Sequence, residues 1–314
     1  MPLPAPRIAL AWDHPSHMMT AAIGVADTGA KLKEDYLFNH YWMGRRQIQR
    51  GRAAEGGPFA YVLDPGASHD PTTVAEFMDL MRQSGIEFVR ADEAFEAGGR
   101  SFPVGTYVIP PQAFRPYVVD LMEPKEFPER RQYPGGPPIP PYDMTGYELR
   151  FQMGLQVMNV DEPFAMPSGA WGEVARVSGR VEDDGAARAG PGYLVQPNSN
   201  WLYRGLADHL TRGEAFRTTR STPAAPAGAY WLPDLEAGEA RALATEHGLE
   251  LVRPSTDIEA AAPVPVRMPR VAIYRSWQAR MPEGWTRWVL DEYGIPWQNV
   301  WDDRIFFFQD ETGG

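Results

Sequence analysis

Apolar and polar positions alternate with two periods along the chain, and the periods switch in a repeated order. Phe59 to Leu63 is a short apolar run, which predicts a strand. Thr72 to Ser84 then places Val74, Phe77, Met78 and Met81 on one helical face, with Asp70 or Thr72 as its cap and Gly85 at its end. Ile86 to Arg90 predicts a strand, Gly98-Gly99 a turn, Tyr107 to Ile109 a strand, and Arg115 to Met122 a helix with Tyr117, Val118 and Leu121 together. The order returns further on. Tyr193 to Gln196 reads as a strand, Asn198 as a cap, Trp201 to Leu210 as a helix and Glu214 to Thr218 as a strand. Tyr230 to Leu232 is another strand. Leu235 to His247 is a helix closed by Gly248, and Leu249 to Arg253 is the last strand of the set. A third start follows. Val271 to Tyr274 reads as a strand buried on both faces. A helix opens near Pro282 and Glu283 and closes at Gly294, and Ile295 to Trp301 resumes as a strand. Strand, helix, strand at this spacing is a βαβ unit.

Two of these units share a pattern. Pro103-Val-Gly105-Thr-Tyr107-Val-Ile-Pro110 and Pro226-Ala-Gly228-Ala-Tyr230-Trp-Leu-Pro233 both read P-x-G-x-Y-x-x-P, and Pro58 to Leu63 corresponds to Pro191 to Gln196. The expectation is an α/β protein of repeated three-layer modules with mostly parallel sheets, near 58–123 and 191–253. The last module is expected to be incomplete, because Arg270 to Gly314 falls well short of the ~100 residues a doubly wound domain uses.

The connecting segments are less regular. Arg7 to Trp12 is a candidate strand and His14-Pro15-Ser16-His17 a turn before the apolar Met18 to Val25. Lys31 to Arg50 reads as a helix with Leu32, Tyr36, Tyr41, Met43 and Ile48 loosely on one side, broken by Gly51 to Pro58. Pro124 to Tyr142 is a Pro-rich connector expected to be extended. Met144 to Val160 is strand-like, Arg180 to Gly190 is a polar loop, and Pro254 to Pro269 is a linker.

Composition narrows the function classes. The chain has 314 residues, 43% of them hydrophobic, and a net charge of −11. An acidic balance argues against a nucleic-acid partner. Arg45, Arg46, Arg50 and Arg52 form a local basic cluster on a predicted solvated helix face. Cysteine is absent, which removes disulfides, thiolate metal sites and cysteine nucleophiles. No apolar run is long enough to span a membrane, and the first residues carry no signal-peptide pattern. The compartment stays open.

No phosphate loop, dinucleotide fingerprint or nucleophile elbow is present. Of the six histidines, His14 and His17 with Asp13 form the tightest group, and two imidazoles with a carboxylate suit zinc. Pro15 argues against a helical pair there, so Asp13, His14 and His17 are weak metal candidates. His69-Asp70 reads as a cap or loop. His247-Gly-Leu-Glu250 matches His-x-x-Glu literally, but it straddles a helix end, so the match reads as chance.

Four stretches carry a family resemblance. They are Gly57-Pro-Phe-Ala-Tyr-Val62 with Asp70-Pro71, Phe102-Pro-Val-Gly-Thr-Tyr107, Asp120-Leu-Met-Glu-Pro124 with Tyr142-Asp143 and Met153-Gly154, and Arg270 to Gly294. In the last, Glu283-Gly-Trp-Thr-Arg-Trp288 and Tyr293-Gly294 carry most of the likeness. In this order they resemble the carboxy-terminal, non-catalytic half of large bacterial zinc carboxypeptidase-like proteins, which end in an amidotransferase-like α/β domain. The resemblance covers about residues 35 to 303. It implies that 1–52 is the tail of a peptidase-like domain and a helical connector. It further implies that 53–160 and 161–260 are α/β modules and that 261–314 is an incomplete amidotransferase-like domain. The family's catalytic domain uses His-x-x-Glu, a later His and a Glu base around zinc. None of these family residues carries over, and Thr20-Ala21 stands where the base would be. Zinc is therefore expected only in a catalytic domain outside this chain. The expected role is accessory, structural or substrate-docking, with a separate peptidase domain and peptide substrate as partners. Two alternatives stand beside it. One is a small-molecule or peptide-binding α/β module using strand-end clefts and Trp277, Trp285 and Trp297. The other is an unrecognised metal hydrolase around Asp13, His14 and His17.

Overall fold

The computed structural model describes residues 13–125, 128–140, 146, 148–182, 190–223, 225–278 and 280–302; the candidate strand Arg7 to Trp12 lies outside them. Two helices come first, α1 (Asp13–Lys31) and α2 (Lys33–Arg52). The expected turn at His14-Pro15-Ser16-His17 is instead the opening of α1. Proline is tolerated there because the first N–H groups of a helix have no carbonyl partner to lose.

The first module contains β1 (Ala60–Leu63), α3 (Pro71–Gln83), β2 (Val89–Ala91), β3 (Phe95–Ala97), β4 (Arg100–Phe102), β5 (Tyr107–Ile109), α4 (Arg115–Met122), α5 (Leu149–Gln152), β6 (Val157–Val160) and β7 (Gly169–Trp171). Asp70 caps α3, accepting from the Thr72 and Thr73 amides at 2.9 and 3.4 Å. Its sheet runs β6-β1-β5-β2-β7, and every neighbouring pair is antiparallel. Strand–helix–strand, then strand–helix–strand, interleaved so that the first two strands flank the third, is the split βαβ arrangement. One face carries Tyr61, Leu63, Tyr107 and Ile109 against Phe77, Met78, Val118 and Leu121 of α3 and α4. The other carries Val62, Val89, Val108 and Val160, covered by the β3–β4 hairpin through Ala97 and Phe102.

The second module repeats this. It contains β8 (Arg180–Glu182), β9 (Tyr193–Val195), α6 (Trp201–His209), β10 (Ala215–Arg217), β11 (Tyr230–Leu232), α7 (Ala237–His247), β12 (Glu250–Val252) and β13 (Val264–Val266). The sheet runs β13-β10-β11-β9-β12-β8, antiparallel except for β12 with β8. The shared four-strand core has the same order and register in both modules. Tyr61 faces Ile109 as Tyr193 faces Leu232, and Arg90 faces Tyr107 as Arg217 faces Tyr230. The P-x-G turns share a left-handed glycine and one backbone hydrogen bond. Gly105 (φ 90°) donates to Ala91 O at 2.9 Å, and Gly228 (φ 89°) to Thr218 O at 2.8 Å. The register aligns Tyr61 with Tyr193, one residue away from the match that Pro58 and Pro191 suggest.

The expectation of mostly parallel, three-layer modules is therefore corrected. The chain is mixed α/β, but its sheets are largely antiparallel, with helices on one face and a hairpin or loops on the other. A strand buried on both faces reads as an unbroken apolar run whichever way its neighbours point. Other connectors also differ from expectation. Asn198 does not cap α6; the Ser199 hydroxyl accepts from the Trp201 amide at 3.2 Å. The linker Pro254 to Pro269 supplies β13 as an edge strand. Within the Pro-rich connector, Arg131 bridges Pro138 around a turn at Tyr133 to Gly136.

The third unit has the βαβ form expected: β14 (Val271–Arg275), α8 (Met281–Glu292) and β15 (Trp297–Trp301), with the strands parallel. Its burial does not match. Neither strand is fully buried, and α8 buries no residue, leaving Trp285 and Trp288 largely exposed. Two strands and one helix leave one sheet face open.

Candidate functional site around Trp201

The N-termini of α3 and α6 meet where the modules join. Thr72 Oγ1 and Ser199 Oγ lie 3.1 Å apart, and the Asn200 amide donates to Asp70 Oδ2 at 3.1 Å. Trp201, the first residue of α6, projects from this contact and touches all three units. Its indole Nε1–H donates to the Glu76 carboxylate of α3. Its ring stacks on His247 of α7, with centroids 6.4 Å apart and planes at 18°. It also stacks on Tyr293, just past α8, at 5.8 Å and 29°. Arg204, one turn along α6, pairs with Asp208 at 3.3 Å and donates to the Glu292 carbonyl at 3.3 Å.

Beside this hub opens a cavity of about 830 Å³. Its wall includes Glu76, Asp79, Glu246, Asp291 and Glu292 against Arg176 and Arg204, so carboxylates outnumber guanidinium groups by three. Burial raises the Glu76 carboxyl above its usual range; the Trp201 hydrogen bond pulls the other way and Asp70 adds to the rise. Burial lowers the His247 imidazole below its usual value, against the opposing pull of Glu246 and Asp208. His247 Nε2 is buried without a hydrogen bond, 3.9 Å from Asp208 Oδ2. A second cavity of about 440 Å³ lies across the α3–α6 contact, lined by His69, Asp70, Met153, Gly154 and Asn198 among others.

The residues singled out by sequence fall elsewhere. His17 is exposed on α1, and the side chains of Asp13 and His14 lie outside the described residues. His247 ends α7, with Gly248 left-handed after it, and the exposed Glu250 on β12 pairs with Arg180 at 3.2 Å. The two ends of that literal His-x-x-Glu therefore face different surroundings. Among the described residues no three His, Asp or Glu side chains gather closely enough to hold a metal ion. Trp277 and Trp285 are largely exposed on the third unit, and Trp297 donates to Asp291 at 2.7 Å beside a smaller cavity of about 410 Å³. Trp201, Glu76 and Arg204 carry no local motif, because their partners are far away in sequence. No helix among the described residues is long and apolar enough to cross a membrane.

Comparison with known proteins finds no matching family model, no matching curated protein and no matching solved structure.

Proposed function

We propose that this chain is the accessory, substrate-docking region of a zinc carboxypeptidase-like protein, and that the cleft around Trp201 holds a peptide segment bearing a cationic side chain. The resemblance of the four stretches supplies the family context. The acidic excess of a cleft large enough for several peptide atoms, built where three units meet, carries the docking role. Two of the resembling stretches, Asp70-Pro71 and Met153-Gly154, also come together at the neighbouring cavity through Asp70, Met153 and Gly154. A positively charged group would sit among Glu76, Glu246 and Glu292, while Arg204 stays engaged with Asp208 and the α8 carbonyl. Catalysis and zinc belong, in this reading, to a separate peptidase domain.

Titration with lysine- and arginine-bearing peptides, followed by tryptophan fluorescence and calorimetry, tests the reading. Binding is expected to weaken at least ~10-fold when Glu246→Gln and Glu292→Gln are combined, and to weaken with added salt. Equal affinity for acetyl-lysine peptides, or no binding of any peptide, would overturn it.

A further inference from the structure

α1 and α2 are nearly one rod. Only Leu32 separates them, and i to i−4 hydrogen bonds run through the junction, from Leu32 N to Thr28 O and from Tyr36 N to Leu32 O, each 3.0 Å. At 1.5 Å per residue the rod is about 60 Å long. Among the described residues its burial is confined to the end, where Gly51 lies against the Gln112 and Ala113 carbonyls ahead of α4. Twelve large apolar residues along it, among them Met18, Ile23, Leu37, Phe38, Tyr41 and Trp42, are between 42% and 74% exposed. From Tyr36 to Met43 they surround the helix, the pattern of a helix enclosed by other protein.

We propose that a second copy of this chain covers one side of α2, with two α2 helices packed antiparallel through Phe38 and Trp42 about a two-fold axis at the level of His40. Charge favours this occupant. Glu34 and Asp35 open α2, while Arg45, Arg46, Arg50 and Arg52 lie in its last half. The helix dipole accounts for acid in the first turn and base in the last, but Arg45 and Arg46 sit about two turns short of the end. Antiparallel pairing sets them opposite Glu34 and Asp35 of the second copy, whereas parallel pairing sets like charge on like. The same patch meets itself, as an isologous contact requires.

Sedimentation of the full chain is expected to give twice the chain mass at micromolar concentration. Phe38 and Trp42 share the helix side of Glu34, Asp35, Arg45 and Arg46, so Phe38→Glu with Trp42→Glu is expected to give a monomer with unchanged far-ultraviolet dichroism, because neither side chain belongs to a module core. Glu34→Arg with Asp35→Arg is expected to weaken association ~10-fold or more, and adding Arg45→Glu with Arg46→Glu to restore it. The chain has no cysteine, so Phe38→Cys combined with Trp42→Cys gives a clean probe: oxidation is expected to join position 38 of one copy to position 42 of the other, and Ser16→Cys to cross-link much less. A chain that stays monomeric up to ~100 µM overturns the proposal, including the case where another polypeptide covers the rod. Failure of the charge swap to restore association, or cross-linking from Ser16→Cys equal to that from Phe38→Cys with Trp42→Cys, overturns the antiparallel two-fold.

Discussion

His247 stacks on the Trp201 ring and Glu76 accepts from its Nε1–H, and the two respond to acid in opposite directions. Burial holds the His247 imidazole below its ordinary value, so the unfolded chain takes up that proton first as pH falls. Stability from this residue is complete above about pH 6.5 and declines below it, until the folded imidazole also protonates. Glu76 does the reverse. Its carboxyl is raised, so the folded chain binds the proton first, and stability is gained as pH falls from the raised value towards the ordinary carboxylate range. His247→Gln is therefore expected to flatten the fall in melting temperature between pH 7 and 5.5, and Glu76→Gln to steepen the acid side. Melting temperatures of the three proteins across that range decide it; parallel curves would mean that neither group titrates differently in the two states. None of this was legible locally. The sequence shows His247 as part of a four-residue coincidence, and its real neighbours, Trp201 and Asp208, come from a different helix.

Elements were legible where a period of 3.6 separated apolar from polar residues. α3 and α4 fall where Val74, Phe77, Met78 and Met81, and Val118 and Leu121, place them, because a helix has one buried side to mark. Strand direction was not legible. The strands of the two module cores have three or four residues, most of them covered on both faces, and such runs look alike in parallel and antiparallel sheets. Nor could Pro15 be read as helical, since its tolerance depends on its being in the first turn. One glycine fixes how the second sheet begins. Gly192 is left-handed (φ 65°), and a β-carbon there would strike the Leu232 carbonyl and stand 2.6 Å from Pro233 Cα, both backbone. It leads directly into β9, which lies between β11 and β12. Gly192→Ala is expected to destabilise the second module by about 2–3 kcal/mol, from left-handed strain and backbone displacement together. Urea denaturation, with amide exchange read separately on β1 and β9, checks it. Loss confined to β9, β11 and β12 is the expected result, and an unchanged midpoint would show that the strand can shift at little cost.

At the scale of the whole molecule, the three units differ in what holds them. Each module has a core on both faces of its sheet, whereas the third unit has two paired strands, a helix that buries nothing, and Tyr293 resting on Trp201. A two-stranded sheet with one helix is marginal by itself. Its attachment depends on the Trp201–Tyr293 stack and on Arg204 reaching the Glu292 carbonyl. Opening free energy should therefore rise from β14 and β15 to β1 and β9. Amide exchange of Val271 to Arg275 is expected to be faster than that of Ala60 to Leu63 by an order of magnitude or more. Trp201→Ala removes the stack, the hydrogen bond to Glu76 and the contact with His247 in one change. Its expected cost is about 2–3 kcal/mol for a partly exposed aromatic, concentrated at the junction. The third unit should then exchange faster and be cut sooner by protease between β13 and β14, while the β1 and β9 amides keep their protection. Unchanged exchange at β14 would mean that the unit holds its place through its own strands, and the cleft wall formed by Asp291 and Glu292 would not depend on the indole.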